Sequence, residues 1–303
     1  MQTHCSWTIF TKRKPSVECD LDVCDPARVT YEVIPVYDAR LQIRAVGYGQ
    51  PLLLLHGVPG DCETLAPVAD LLAVTRRATT VSLRYSGHGP HGARPFGTQQ
   101  QYEDLMEIVE TIGGPIDLAA WSYSAHAALA LAIERPDLVR SLYLFEPGFP
   151  TFVSEPDDLA RIEEDTMSAF GPVFGALSAG DLETALRHAI DGAVGQAGWF
   201  DTQPEAIRQI HQRNAGMLPL LLRQTPVLEI DEADLGRIRC PVTVAWGAET
   251  RLCYRLVSEA VARIVPGAHA SRLTGNQLLP ETAPETLSSD IRAHLARAAS
   301  EVP

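Results

Sequence analysis

Short apolar segments alternate with longer amphipathic segments along most of the chain. Apolar and polar residues alternate over 30–36 and 41–46, which predicts the two strands of a hairpin. Nearly continuous apolar runs, typical of strands buried on both faces, then follow at 51–55, 79–83, 116–120, 141–145, 242–246 and 270–273. Apolar residues at helical spacing between these runs predict helices over 63–74, 99–112, 123–134, 254–264 and 285–298.

Regular alternation of buried strands and helices is typical of one fold class. The pattern predicts an α/β protein with a mostly parallel central sheet and helices on both faces. Between 148 and 236 the pattern changes to amphipathic helical segments only, which predicts a helical cap inserted after the sixth strand. We therefore expect an irregular N-terminal extension over 1–27, a core formed by 28–147 and 237–303, and the cap over 148–236.

Composition narrows the class of partner. The 303 residues carry a net charge of −13, which argues against nucleic acids and anionic membranes as binding partners. The longest purely apolar run, at 52–55, is far shorter than the about 20 residues of a membrane span. The start of the chain lacks an apolar signal segment, and the six cysteines form no Cys-x-x-Cys pair. We expect a cytoplasmic protein with reduced thiols and no bound metal, and its oligomeric state stays open.

Candidate catalytic groups follow the ends of two predicted strands. In a parallel sheet, functional residues gather at the carboxyl edge. The segment HGVPG follows the strand at 51–55, and its glycines allow Val58 to aim its N–H into a cleft. Ser122 stands between a strand and a helix, where the helix dipole and the Tyr123 N–H would stabilise an oxyanion. The alternative is that Ser122 only caps the helix.

Several motifs in order resemble the landmarks of one known family. They are HGVPG (56–60), LRYSGHG (83–89), AAWSYSAHAALALAIERPDLVRSLYLFEP (119–147), AWGAET (245–250) and IVPGA with LTGNQLLPETAPE (264–285). Over about 29–298 the chain resembles the α/β-hydrolase fold family. The resemblance implies Ser122 as nucleophile, the Val58 and Tyr123 amides as oxyanion hole, and no cofactor. The family's elbow usually reads Gly-x-Ser-x-Gly, whereas Ala120 and Ser124 stand at the glycine positions here.

The expected acid and base also depart from the family pattern. The family most often places an Asp where this chain has Thr250, with Glu249 adjacent. The family's second acid position, at the end of the sixth strand, holds Glu146, which we prefer. Gln277 aligns with the family's histidine, or Asn276 or Leu278 does if the loop is shifted, and glutamine cannot accept a proton at neutral pH.

Other histidines are weaker candidates for the base. His126 lies one turn beyond Ser122, and His88 follows the strand at 79–83. His188 and His211 lie in the predicted cap and could meet a substrate there. The ordinary expectation for all four is a structural or solvent-exposed role.

Three functions remain open from the sequence. The first is a serine-type hydrolase of an ester, lactone or thioester of a small molecule, with Ser122, Glu146 and Gln277 as an incomplete triad. The second is a non-hydrolytic enzyme of the same fold, a cyclase or lyase in a biosynthetic pathway, that polarises a carbonyl in the oxyanion hole. The third is a non-catalytic ligand binder. In each case Trp121, Trp199 and Met217 are candidates for the apolar substrate pocket.

Overall fold

Eight strands in the described part of the chain form one sheet. The structure is a computed structural model that describes residues 28–301, so the predicted extension over 1–27 lies outside the described residues. The strands are β1 (Thr30–Val36), β2 (Ala39–Val46), β3 (Pro51–Leu55), β4 (Arg77–Val81), β5 (Ile116–Trp121), β6 (Val139–Phe145), β7 (Val242–Gly247) and β8 (His269–Leu273). Their order is β1-β2-β4-β3-β5-β6-β7-β8, with β1 and β2 antiparallel and β4 to β8 parallel to β3.

Twelve α-helices are formed by the same described residues. They are α1 (Ala66–Leu72), α2 (Thr98–Ile112), α3 (Tyr123–Glu134), α4 (Pro156–Ser178), α5 (Leu182–Val194), α6 (Trp199–Thr202), α7 (Glu205–Asn214), α8 (Leu218–Leu221), α9 (Glu232–Leu235), α10 (Leu252–Ile264), α11 (Leu279–Thr282) and α12 (Pro284–Glu301). None of the helices among the described residues is both long enough and apolar enough to cross a membrane.

The sheet is buried on both faces, which explains its apolar strands. In β3 the side chains of Leu53 and Leu55 join the core that packs against α2, α3 and α10. Leu52 and Leu54 point to the other face and join the core that packs against α1 and α12. Successive residues of a strand face opposite sides, so a strand covered on both faces needs apolar residues at every position. The predicted α/β fold is thereby confirmed.

The segment between β6 and β7 is helical and covers one edge of the sheet. Helices α4 to α8, which we call the cap helices, lie in this segment, and α4 packs against α5. A salt bridge joins α4 to the loop after β7, in which Arg251 Nη2 lies 2.6 Å from Asp165 Oδ1. Asp165 Oδ2 also accepts the N–H of Cys253 at 3.0 Å. The domain boundaries inferred from the sequence, 148 and 236, remain a proposal.

Candidate active site

Ser122 occupies a sharp turn between β5 and α3. Its backbone has φ 58° and ψ −115°, a region that residues with a side chain rarely adopt. The Ser122 N–H donates to the carbonyl oxygen of Phe145 at 3.0 Å, which ties the turn to the end of β6. Its side chain accepts no capping hydrogen bond from the helix, so the N-cap interpretation has no support. A strained residue held by surrounding contacts is typical of a functional site.

Small residues around Ser122 make this turn possible. Ser124, which stands at a usual glycine position, is fully buried and donates its hydroxyl to the carbonyls of Trp121 at 3.1 Å and Leu55 at 3.2 Å. Its extra polar atom is therefore satisfied inside the core. Gly57 lies across from the turn, and a β-carbon there would stand 3.3 Å from the Ser122 Cβ. Glycine at 57 lets the loop after β3 approach the serine closely.

The expected oxyanion donors lie beside Ser122. Val58, Tyr123 and Ser122 all line one cavity, in which Val58 belongs to the loop after β3 and Tyr123 opens α3. Backbone amides at the first turn of a helix lack partners within the helix, so they can stabilise negative charge on a bound group. Only the backbone of Tyr123 would serve in this role, because its phenol donates to Gln224 Oε1 at 2.7 Å.

Glu146 is a fully buried carboxylate at the carboxyl end of β6. Its φ is 47°, and its two oxygens accept from the Gly247 N–H and the Thr250 hydroxyl, each at 2.7 Å. Burial raises the pKa of Glu146 to about 7, although these two hydrogen bonds act in the opposite direction. The competing candidate for the acid, Glu249, is exposed on the loop after β7. Burial and two hydrogen bonds therefore favour Glu146 as the acid.

Gln277 lies in the wall of the same cavity as Ser122. The side chain is 3% exposed, and its Oε1 has no hydrogen-bond partner among the described residues. This oxygen is therefore available to accept a hydrogen bond from a molecule in the cavity. No hydrogen bond links Gln277 to Glu146 in the described part of the structure, where the Glu146 oxygens bond to Gly247 and Thr250.

The cavity measures about 770 Å³ and is mainly apolar. The core domain contributes Trp121 and Tyr123, Phe149 follows β6, and the cap helices contribute much of the remaining wall. Four of its apolar residues are exposed, which marks the mouth of the cavity; they are Leu159, Met167, Phe174 and Leu222. Three of the four belong to α4, so the mouth lies along that helix.

A buried histidine–carboxylate pair forms another part of the wall. His211, on α7, is 2% exposed, with Nδ1 2.9 Å from the Pro59 carbonyl oxygen and Nε2 3.0 Å from Glu281 Oε2. Burial alone would lower the pKa of His211, but the adjacent Glu281 carboxylate outweighs it and raises that pKa above its usual 6.5. Both residues line the cavity that contains Ser122.

Two predicted pocket residues lie elsewhere. Met217 is fully buried and packs with Phe96 and Tyr123, and Trp199 packs against the core around α5. Neither is among the described residues that line the cavity, so that prediction is corrected for both, whereas Trp121 does line it. An amphipathic pattern shows which face of a helix is buried. It does not show whether a buried side chain, such as that of Met217 or Trp199, packs within the cap or lines a cavity.

Of the four alternative histidines, His88, His126 and His188 are not among the described residues that line the serine's cavity, whereas His211 is. His126 is buried with Nε2 2.5 Å from the Leu228 carbonyl oxygen, and burial lowers its pKa to about 4. His88 is exposed, and its backbone N–H donates to Gln42 Oε1. Neither lines the cavity in the described structure.

Sequence reasoning missed Glu281 and Gln224 as cavity residues. Glu281 follows Gln277 by four residues, and this helical spacing was the available signal for its position. Its partner His211 lies 70 residues away in the chain, so the pair could not be read from spacing. No group of three or more His, Cys, Asp or Glu side chains among residues 28–301 is arranged to hold a metal ion.

Curated relatives cover different shares of the chain. The chain is 29% identical over 242 residues to a pimeloyl-[acyl-carrier protein] methyl ester esterase of Methylococcus capsulatus, which covers 77% of this chain and 89% of the relative. It is 26% identical over 238 residues to a fluoroacetate dehalogenase of Burkholderia sp, covering 71% and 77%. A hydrolase of (E)-2-((N-methylformamido)methylene)succinate from Acinetobacter baylyi is 31% identical over 99 residues only, which span 32% of this chain and 37% of the relative.

Solved structures show the same fold. A loop variant of a haloalkane dehalogenase from Bradyrhizobium elkanii superimposes with a TM-score of 0.69 at 19% identity, covering 91% of this chain and all of that one. A thermophilic esterase from Thermogutta terrifontis gives 0.65 at 21% identity, with 89% and 99% covered. The sequence model of the alpha/beta hydrolase family matches residues 52–286. This chain is therefore a member of the alpha/beta hydrolase family, and it is an enzyme of that fold.

Proposed function

We propose that the protein is a serine-type hydrolase of an uncharged ester, lactone or thioester. Ser122 is the nucleophile, the Val58 and Tyr123 amides form the oxyanion hole, and Glu146 is the buried acid. Gln277 takes the place of the family's base. The observation that carries the proposal is the strained backbone of Ser122 at the wall of a cavity, beside these two amides.

The glutamine determines the kinetics that this site can support. The Gln277 amide can orient the serine hydroxyl or a water, but it cannot take up their proton. General-base assistance is worth about 10²- to 10⁴-fold in rate. A substrate whose alcohol, phenol or thiol departs easily can still transfer its acyl group to Ser122. Hydrolysis of the resulting acyl-enzyme, in contrast, needs an activated water. We therefore expect a stoichiometric burst of product followed by slow turnover.

The cavity wall favours uncharged substrates. No lysine or arginine is among the described residues that line it, and the charge of His211 is balanced by Glu281. A substrate carboxylate would lose its hydration without gaining a cation, which is costly in an apolar cavity. By name, the curated relatives act on a succinate derivative, on fluoroacetate and on a pimeloyl ester. We propose that this chain differs in substrate charge from the relatives that act on the succinate derivative and on fluoroacetate.

One observation favours a second function. The Gln277 Oε1 has no partner in the described structure, and Glu146 bonds to the β7 loop instead of to Gln277. A non-hydrolytic cyclase or lyase needs only a polarised carbonyl and a fixed hydrogen-bond acceptor, and these residues would provide both.

A labelling experiment tests the nucleophile directly. The intact mass of the protein is measured after reaction with a fluorophosphonate, for the wild type and for the Ser122→Ala, Gln277→His and Ser178→Ala variants. Ser178→Ala is the control, because this serine is exposed at the end of α4. We expect one adduct that is lost only in Ser122→Ala, and faster labelling in Gln277→His.

Paired substrates test the charge preference. Hydrolysis of p-nitrophenyl butyrate should exceed that of the p-nitrophenyl monoester of succinate, which is similar in length but carries a carboxylate.

No fluorophosphonate adduct in either the wild type or Gln277→His would reject the hydrolase and favour the non-hydrolytic enzyme. Saturable ligand binding without turnover, unchanged in Ser122→Ala, would indicate a binder.

A further inference from the structure

We propose that His211 is a positioning residue that holds the two catalytic loops of the core in place from the cap. Its imidazole bridges the loop that carries Val58 and the segment that carries Gln277. This inference rests on the proposed function, since it concerns the geometry of the same oxyanion hole. Neither the resemblance to the family nor the relatives' names assign a role to this histidine.

The first step is the geometry of the bridge. The His211 Nδ1 donates to the carbonyl of Pro59, the residue that follows Val58. The His211 Nε2 donates to Glu281 of α11, four residues after Gln277 in the chain. One ring therefore bonds to both segments, one on each nitrogen.

The second step is that the bridge is part of a larger attachment at the end of α7. Arg213 forms two hydrogen bonds with the Asp61 carboxylate, at 2.6 and 2.9 Å, and Asn214 Nδ2 donates to the same group at 2.8 Å. Asn214 Oδ1 in turn accepts from the Gly87 N–H at 2.8 Å. These bonds keep the last turn of α7 on the loop, whereas His211 alone also reaches the Gln277 segment.

The third step is the protonation state of the ring. Both partners of His211 are oxygen acceptors, a carbonyl and a carboxylate, so only the imidazolium donates to both. The charged groups that face the ring are Glu281 from α11, Asp61 from the loop after β3, and Arg213 from its own helix, whose charge is paired with Asp61. The bridge is therefore complete at low pH and loses one hydrogen bond as the pH rises through the raised pKa of His211.

The fourth step links the bridge to catalysis. Gly57 approaches Ser122 so closely that a β-carbon would meet it at 3.3 Å, so the loop has little freedom in this direction. Releasing Pro59 lets Val58 move away from the position of the developing oxyanion. Loss or misplacement of such a donor lowers the rate by about 10²-fold, while binding of the substrate's apolar part is unchanged.

The test compares four variants with the wild type. His211→Phe removes both bonds, His211→Asn keeps a donor near the Nδ1 position, and Glu281→Gln removes the carboxylate charge. His188→Phe, the same change on α5 of the cap, is the matched control. Two measurements are made: kcat and KM for p-nitrophenyl butyrate across pH 5–10, and hydrogen–deuterium exchange of the amides in residues 57–62.

We expect His211→Phe to lower kcat by about 10- to 100-fold with KM changed less than about threefold. His211→Asn should recover part of kcat and remove the alkaline loss of activity. Glu281→Gln should shift that loss to lower pH, because it lowers the pKa of the imidazole. Exchange in residues 57–62 should speed up in His211→Phe, and His188→Phe should match the wild type in both measurements.

Each outcome decides the proposal. Unchanged exchange in His211→Phe overturns the bridge, whatever the activity. Faster exchange with unchanged kcat overturns the positioning role and leaves the proposed function intact. If the wild type hydrolyses no ester, the proposed function and the positioning role fail together, and the exchange data still decide whether the bridge exists. Equal losses of folded protein in His211→Phe and His211→Asn would assign a purely structural role.

Discussion

Replacing Glu146 by glutamine is predicted to change how the stability of the protein depends on pH. Glutamine has the same shape, its Oε1 can still accept the Gly247 N–H, and its Nε2 can donate to the Thr250 hydroxyl, which rotates to accept. Both hydrogen bonds of the carboxylate therefore have equivalents in the variant. What the substitution removes is the ability of this buried group to ionise.

The magnitude follows from the pKa of Glu146 in the folded protein. Burial raises it from its usual 4.5 to about 7, so the folded state takes up a proton before the unfolded state as the pH falls. The contribution of Glu146 to the free energy of unfolding is complete below pH 4.5 and is lost as the pH rises to about 7. At about 1.4 kcal/mol per pH unit, the loss is about 3 kcal/mol. The Glu146→Gln protein does not suffer this loss.

The assay is urea unfolding of the wild type and Glu146→Gln between pH 4.5 and 8.5, followed by tryptophan fluorescence. The free energy of unfolding of the variant, minus that of the wild type, should increase by about 3 kcal/mol across this range. Other titrating groups contribute equally to both proteins and cancel in the difference. A difference that changes by less than about 1 kcal/mol would refute the reasoning, because the buried carboxyl would then ionise as it does in water.

Two further substitutions test the packing that supports the site. Asp104→Ala should lower the free energy of unfolding by about 3 kcal/mol in urea titrations, because it removes the buried carboxylate of the Arg84 guanidinium and leaves only the more exposed Asp38 as its ionic partner; a loss below about 1 kcal/mol would argue against this pairing as a source of stability. Gly247→Ala should lower the melting temperature, since its β-carbon would collide with the Gly275 carbonyl, whereas Gly175→Ala on open helix surface should not. Equal melting temperatures of these two variants would contradict the predicted collision.

The sheet was predictable because burial leaves a strong mark on strands. The predicted strands at 30–36 and 51–55 agree with β1 and β3. The strand predicted at 79–83 begins and ends two residues earlier, because Leu83 turns away from the sheet and donates its N–H to His56 Nε2. Leu83 is buried in a loop, and an apolar pattern does not separate a buried loop residue from a strand residue.

The cap was predicted less well than the core. The amphipathic segment SEPDDLARIEEDTMSAF (154–170) predicts a helix that stops before a Gly-Pro pair, but α4 continues through Pro172 to Ser178. Proline normally ends or bends a helix. Here the residues beyond it, including Val173, pack into the core around α5, and that packing was not visible in the sequence.

The catalytic positions divide in the same way. The position of Ser122 was predictable because its strand–turn–helix setting is local in sequence. The preference for Glu146 over Glu249 depends on burial, and the pairing of His211 with Glu281 depends on contacts between distant segments. Local pattern therefore locates the proposed nucleophile, while the electrostatics of the site depend on tertiary structure.

The cap helices are attached to the core on two opposite sides, by Arg251 to Asp165 of α4 and by the end of α7 to the loop after β3. Attachment at both ends opposes a hinged opening of the whole cap. We therefore expect substrate and product to pass along α4, where Met167 and Phe174 line the cavity and are exposed. Exposed side chains reorient in picoseconds to nanoseconds. Domain opening would take microseconds to milliseconds. If the proposed function holds, entry along α4 without domain opening would leave turnover limited by chemistry at Ser122 instead of by a gate.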